Sequence, residues 1–334
     1  MDDEPTILGD HETYTDVLVI ADAHTHPALA DRPPAGRPAV RLVPGLTLER
    51  LPRELAESVI DAATPRGRSF SPARQFGQRY SFVRRGPLDQ QDLFTFDPDG
   101  LIRTAVQLSR LVIPNGHSTD YAARVLPHQV FPFKDEPGPT IAPLPPEDRE
   151  FAFTPAAGAR DWLTEDEARE LGRHLQRWLA VREALPQRVK NAMWLSEWTA
   201  RTAFIQPAFV NTVSALEALM STGGNGQRAQ FVVRCLAATL ELDDPEVDVD
   251  APLLDRTYTA RSEVTHGTFV PMSAGGSDAE DLVRVQGLLR ALLRRAILDG
   301  QFAEVFASAE SVADRWPIPD QRWRQVLGLP SAKR

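Results

Sequence analysis

The chain is short of several things, and each shortage removes a class of explanation. It holds one cysteine, Cys235, in 334 residues. A lone thiol forms no internal disulfide, so a disulfide-stapled secreted scaffold is excluded and a reducing cytoplasm is the expected home. Set among Phe231, Val232, Val233 and Leu236, Cys235 reads as a small buried hydrophobe. Lysine is almost missing: of 37 basic residues only Lys134, Lys190 and Lys333 are lysines, and the remainder are arginines. That bias fits GC-rich coding, and it also fits phosphate recognition by bidentate guanidinium groups. No apolar run approaches the roughly 18 residues of a membrane span. Met1-Asp2-Asp3-Glu4-Pro5 lacks the basic start and apolar stretch of a signal peptide. Positive charge is also in deficit. The net charge of -9 excludes a protein that coats nucleic acid nonspecifically, while leaving room for a local basic cleft.

What remains is an ordinary globular composition, 42% hydrophobic and 25% charged. The length suits two domains and a core that needs neither disulfides nor a structural metal. Residues 1–12 are acidic and read as a flexible tail. From 13 to 160 short apolar runs are broken by Pro and Gly, the texture of an α+β region. Strands are expected at Asp16–Ile20, Ala39–Val43, Arg79–Val83 and Asp92–Phe96. Leu48, Leu51, Leu55 and Val59 predict a helix over 47–63, and Leu101 to Leu111 predict a second over 100–111. The proline-rich stretch Pro132–Pro146 reads as a loop or linker.

Past about residue 161 the pattern becomes helical to residue 300. Thr164-Glu165-Asp166-Glu167 is a capping start for a helix carrying Leu171, Leu175, Trp178 and Leu179. Further helices are predicted over 188–202, from Pro207 to Met220, over 227–240, from Pro252 to Gly267 and over 278–298. Trp178, Trp194 and Trp198 are expected in the core or at an interface. A C-terminal helix and tail occupy 301–334, with Trp316 and Trp323 packing on the bundle or on a partner. The fold class expected is therefore an α+β region followed by an all-α bundle.

The segment richest in chemistry is Tyr258-Thr259-Ala260-Arg261-Ser262-Glu263-Val264-Thr265-His266-Gly267. Upstream stand Ala215-Leu216-Glu217-Ala218-Leu219, a glycine turn, and a predicted helix carrying Arg234. In order and spacing these residues resemble the Apea-like branch of the HEPN domain family, over about 165–300. The resemblance implies a HEPN-like helical bundle that dimerises, its two motifs facing across a two-fold axis, and metal-independent RNA cleavage with no cofactor. It implies a toxin or antiphage effector setting, with a regulatory protein or antitoxin as a further partner and no membrane. Region 13–160 matches no enzyme family on its residues.

The chemistry can be argued from the residues alone. RNA carries its own nucleophile, the 2′-OH, beside the scissile phosphate. Cleavage then needs a proton carrier near neutrality, the natural task of a histidine, and a cation on the phosphoryl oxygens, the natural task of an arginine. His266 and Arg261 are the candidates, with Ser262 and Tyr258 orienting them. Glu217 would hold Arg261 or His266, and Arg234 and Glu263 would support the site. Five residues turn an ideal helix by about 500°, which leaves Arg261 and His266 about 140° apart. They converge only if the helix frays, if Arg261 reaches round, or if a second copy completes the site.

Each residue also has a purely architectural reading. His266 can cap its helix against the dipole, Arg261 can be an ion-pair partner, Glu217 a buried acceptor, and Tyr258 a core side chain. The second functional reading is a non-catalytic HEPN dimerisation or partner-binding scaffold. A third, a metal-dependent amidohydrolase, rests on His24 and His26 at a strand end; the later strand-end ligands such a barrel needs are missing. Ser221–Gly226 has phosphate-loop glycines without the Gly-Lys-Ser/Thr ending, and reads as an interhelical turn.

Overall fold

The computed structural model describes residues 13–20, 39–64, 80–87, 94–127, 139–150, 152, 163–202, 204–267, 277–318 and 323–329. The chain divides into two compact units, one of residues 1–151 with 159–176 and one of 152–158 with 177–334. The division therefore runs through a helix rather than ahead of it.

The first unit is built on a six-stranded antiparallel sheet. Its strands are β1 (Thr13–Ile20), β2 (Val40–Val43), β3 (Leu46–Arg50), β4 (Tyr80–Pro87), β5 (Ala122–Leu126) and β6 (Thr140–Pro143). They lie in the order β2-β3-β4-β1-β5-β6. Helix α1 (Arg53–Ala63) covers one face, where Val17, Val19, Val83, Ala123 and Val125 meet Leu51, Ala56, Val59 and Ile60. Both faces are covered, which explains why seven consecutive residues of β1 are buried instead of alternating. On the opposite face stand Leu18, Leu48, Phe82 and Leu126, all essentially inaccessible. Helix α2 (Leu101–Val112) packs against β4.

Three expectations are corrected here. The helix predicted over 47–63 begins only at Arg53, because Leu46 and Leu48 alternate inward as β3 and Pro52 separates strand from helix. Leu48 also fits a helical spacing with Leu51, so the spacing alone does not separate strand from helix here. Residues 94–96 are a turn, not strand, and the rest of the 92–96 strand lies outside the described residues. Part of the proline-rich stretch read as linker is strand β6, an edge strand pairing with β5, a place where proline is tolerated.

Helix α3 (Glu165–Val181) starts with the expected capping box: Glu167 N–H donates to Thr164 Oγ1 at 3.2 Å, and Thr164 N–H to Glu167 Oε2 at 2.6 Å. Its Gly172 lies so close to β2 that a Cβ there would stand 3.0 Å from the Leu42 carbonyl oxygen.

The second unit is helical. It continues through α4 (Gln187–Ala200), α5 (Ile205–Met220), α6 (Gln227–Leu242), α7 (Ala251–Thr265) and α8 (Ser277–Leu298). Short α9 (Gly300–Glu304), α10 (Ala309–Arg315) and α11 (Trp323–Val326) follow. The central helix is α5, which packs against α4, α6, α7 and α8 and buries Phe209, Val213, Leu216 and Leu219. Burial of each such side chain stabilises the bundle by about 1.5–3 kcal/mol. The C-terminal segment packs on this unit: Trp316 is buried against Phe302 and Phe306, and its indole N–H donates to Glu241 at 2.9 Å. Among the described residues no helix is long and apolar enough to cross a membrane.

Candidate active site

The motif lies on α7, whose start and stop follow from local chemistry. Asp250 accepts the Leu253 N–H at 2.7 Å, Pro252 fits the first turn where no N–H is needed, and Gly267 leaves the helix at φ 74°. Helices α5 and α7 touch along their length. At one end Ile205, Ala208 and Phe209 of α5 cluster with Ala260 and Val264 of α7 and Leu282 of α8. From the same stretch of α7, Arg261 Nη2 reaches along α5 and donates to Glu217 Oε2 at 2.8 Å. The Tyr258 hydroxyl neighbours the same carboxylate, and its ring packs on Phe231 of α6, centroids 5.4 Å apart.

Three sequence candidates thus meet in one cluster. Burial pushes the Glu217 carboxyl above the ordinary carboxylate range, with the Arg261 charge and the neighbouring Tyr258 hydroxyl pulling back against it. Burial, reinforced by the neighbouring Glu217 charge, likewise raises the Tyr258 phenol. Arg261 is not saturated by this pairing. Its Nε is buried without a hydrogen-bond partner, and a quarter of the side chain remains accessible, 25% against 16% for Glu217. An unfilled buried donor costs roughly 1–3 kcal/mol and is the sort of group an anionic ligand satisfies.

His266 is exposed at the C-terminal cap of α7. Its φ and ψ of -90° and 4° take it off the helix; its backbone N–H donates to Ser262 O, and the next N–H, of Gly267, donates to Val264 O. Arg261 turns toward α5 while His266 stands at the helix end. Ser262 and Glu263 are half-buried on the same stretch.

Arg234 is not part of this cluster. It is buried, and its guanidinium donates to Met220 O at 2.6 Å, Trp316 O at 3.1 Å, Thr222 Oγ1 at 3.1 Å and Gln230 Oε1 at 3.2 Å. With Arg188, which donates to Ala218 O and Ser221 O, it satisfies the last carbonyls of α5. The Ser221–Gly226 segment is an interhelical turn pinned by Gln230, which donates to Gly223 O and Asn225 O. Cys235 is fully buried, and burial raises its thiol pKa far above the usual value.

Two features were not anticipated from the sequence. Asp255 gathers Arg228 and a bidentate Arg324 at 2.6–2.8 Å, tying α11 to α6 and α7. Burial opposes ionisation of Asp255, but the hydrogen bonds from Arg324 and Arg228 outweigh it and hold the carboxyl below its usual range. Trp194 and Trp198, expected in the core or at an interface, are 60% and 49% exposed. Their i, i+4 spacing, opposite Val189, Ala192 and Met193, was the available signal.

His24 and His26 lie outside the described residues. Among those described, no three His, Cys, Asp or Glu side chains are grouped to hold a metal ion. The chain matches no family model, no curated protein and no solved structure.

Proposed function

We propose that this chain is a metal-independent endoribonuclease of HEPN type, acting as a dimer. The observation that carries the reading is the Glu217–Arg261–Tyr258 cluster, which leaves Arg261 with an unfilled donor one helical turn and a half from the exposed His266. Glu217 and Tyr258 position Arg261, and Arg261 binds the phosphoryl oxygens as charge builds on them. The 2′-oxygen attacks phosphorus and loses its proton, the bond to the 5′-oxygen breaks, and that oxygen gains a proton. The products carry a 2′,3′-cyclic phosphate and a 5′-hydroxyl. His266 transfers protons on one side of the phosphate, and the facing motif of a second copy serves the other, since Arg261 and His266 of one helix point apart. A toxin or defence effector, restrained by a regulatory protein or antitoxin, is the setting this reading implies.

The test is cleavage of a mixed set of cellular RNAs by purified protein in excess EDTA, with His266→Ala beside it. Cyclic phosphate ends from the wild type alone support the reading. Activity that survives in the variant, or that needs an added metal, overturns it. The scaffold reading has one favouring observation, the Arg261–Glu217 ion pair, which by itself could serve only to join α5 to α7. It predicts that toxicity on expression, or any other cellular effect, persists in His266→Ala.

A further inference from the structure

Trp194, Trp198 and Phe204 expose 60%, 49% and 71% of their surface. The two indoles stand one helical turn apart on α4 with ring centroids 5.7 Å apart and planes at 65°. Edge-to-face pairing holds the rings in fixed orientations and leaves aromatic surface open. The packing side of α4 is made by Val189, Ala192, Met193 and Thr199, so the bundle does not require these indoles where they stand.

Their place in the fold is informative. Ile205 and Phe209 of α5 cluster with Ala260 and Val264 of α7. Phe204 directly precedes Ile205, and His266 follows Val264 by two residues, so both stand at the same end of the α5–α7 pair. Helix α4 runs into that end, with Trp198 in its last turn. Charge points the same way. Lys190 stands one turn before Trp194 on the same row, and Arg201 is matched by Glu197, so the indole row carries a net charge of +1 within a chain of -9. Glu197 is itself engaged by Arg201 at 3.1 Å. An aromatic surface with locally positive charge suits a polyanion that presents flat rings.

We propose that the Trp194–Trp198–Phe204 face is a stacking platform for unpaired bases of single-stranded RNA, leading the strand toward His266. The proposal takes its substrate class from the ribonuclease reading, but it concerns binding and is tested without cleavage. Duplex RNA keeps its bases stacked inside and offers nothing to such a platform, whereas a single strand can splay its bases onto exposed indoles with little sequence preference.

The experiment uses the full chain carrying His266→Ala and a short fluorescent RNA, either single-stranded or annealed to its complement. In the same background Trp194 and Trp198 are changed to Leu together, which keeps an apolar surface and removes the aromatic faces. The expected result is tighter binding of the single strand than of the duplex, and a loss of about tenfold or more for the single strand in the double variant. Sedimentation should show the same assembly state for both proteins. Equal single-strand affinity in parent and variant overturns the platform. A variant that falls from dimer to monomer also overturns it, assigning the face to contact between copies. If the wild type cuts RNA while the tryptophans prove irrelevant to binding, the platform fails alone. If binding depends on the tryptophans and the wild type never cuts, the ribonuclease reading fails and the platform stands.

Discussion

The N-terminal unit links β1 to β5 through Asp16 and Arg124, and the C-terminal unit links α5 to α7 through Glu217 and Arg261. Both are arginine–carboxylate pairs between neighbouring elements, yet they differ in what is left over. Arg124 and Asp16 are directly opposed across the sheet, 1% and 0% exposed, with two hydrogen bonds of 2.7 and 2.8 Å. Asp97 N–H adds a third bond to the carboxylate, and the Arg124 guanidinium stacks on the Tyr14 ring 3.7 Å from its centroid. The Asp16 pair is sealed from solvent. The Glu217 pair is partly open and holds a donor in reserve, with an exposed histidine five residues on. The same chemistry is thus closed in the Asp16 pair and left with an unfilled donor in the Glu217 pair.

The largest effects should separate the two pairs. His266→Ala should lower RNA cleavage by about 10²–10⁴-fold, the usual range for losing a proton carrier, with an unchanged circular dichroism spectrum and melting profile. Arg124→Met should do the reverse. It strands Asp16 in the sheet and should cost about 3–5 kcal/mol in urea unfolding, without altering the cleavage rate per folded molecule. Loss of activity in folded Arg124→Met would break the comparison.

A mixed outcome is expected for Glu217→Gln. Losing the charge should cost roughly 1–3 kcal/mol of stability, and mispositioned Arg261 should slow cleavage by about tenfold or more. Stability loss with full activity would make the open pair as architectural as the sealed one. Gly86→Ala probes the sealed side again, because its Cβ would lie 2.7 Å from the Tyr14 hydroxyl. A cost of about 1–3 kcal/mol is expected, the price of overpacking, and a neutral result would mean Tyr14 swings aside without disturbing Arg124.

The smallest effect concerns pH. Hydrogen bonds from Arg324 and Arg228 hold Asp255 below its usual range despite burial. A depressed folded-state pKa means that its stabilisation is present above the unfolded value, about 3.9, and is lost as pH falls through the folded one. Amide exchange of α7, corrected for intrinsic rates, should therefore rise faster between pH 5 and about 3 in wild type than in Asp255→Asn. In the N-terminal unit the sign is opposite. Burial raises the Asp16 carboxyl despite Arg124, so its contribution is present below the unfolded value and declines as pH rises through the folded one. Parallel acid behaviour of β1 and α7 would show that the Asp16 and Asp255 carboxyls do not differ in the sign of their shift.

Much of the candidate site could be read along the chain because its signals are local. Asp250, Pro252 and Gly267 bracket α7 within one stretch of sequence, and the glycines after Met220 mark where α5 ends. Strands β5 and β6 were missed because Ala122–Leu126 is buried on both faces and shows no alternation, while Thr140–Pro143 sits among prolines. The role given to Arg234 failed for a different reason. A sequence position says that an arginine follows Val233 on a helix, but not that the carbonyls of Met220 and Trp316 will meet it.

By itself the sequence determined the change from mixed to helical texture, the boundaries of the long helices and the spacing of Tyr258, Arg261 and His266. Those depend on backbone propensity, capping and periodicity, which act over one or two turns. Only the tertiary structure decided that Glu217 meets Arg261 across 44 positions of chain, that Arg234 is sequestered and that two tryptophans face outward. Those outcomes depend on which helix faces pack together, and packing sets the access to water that separates a buried strut from a reactive group.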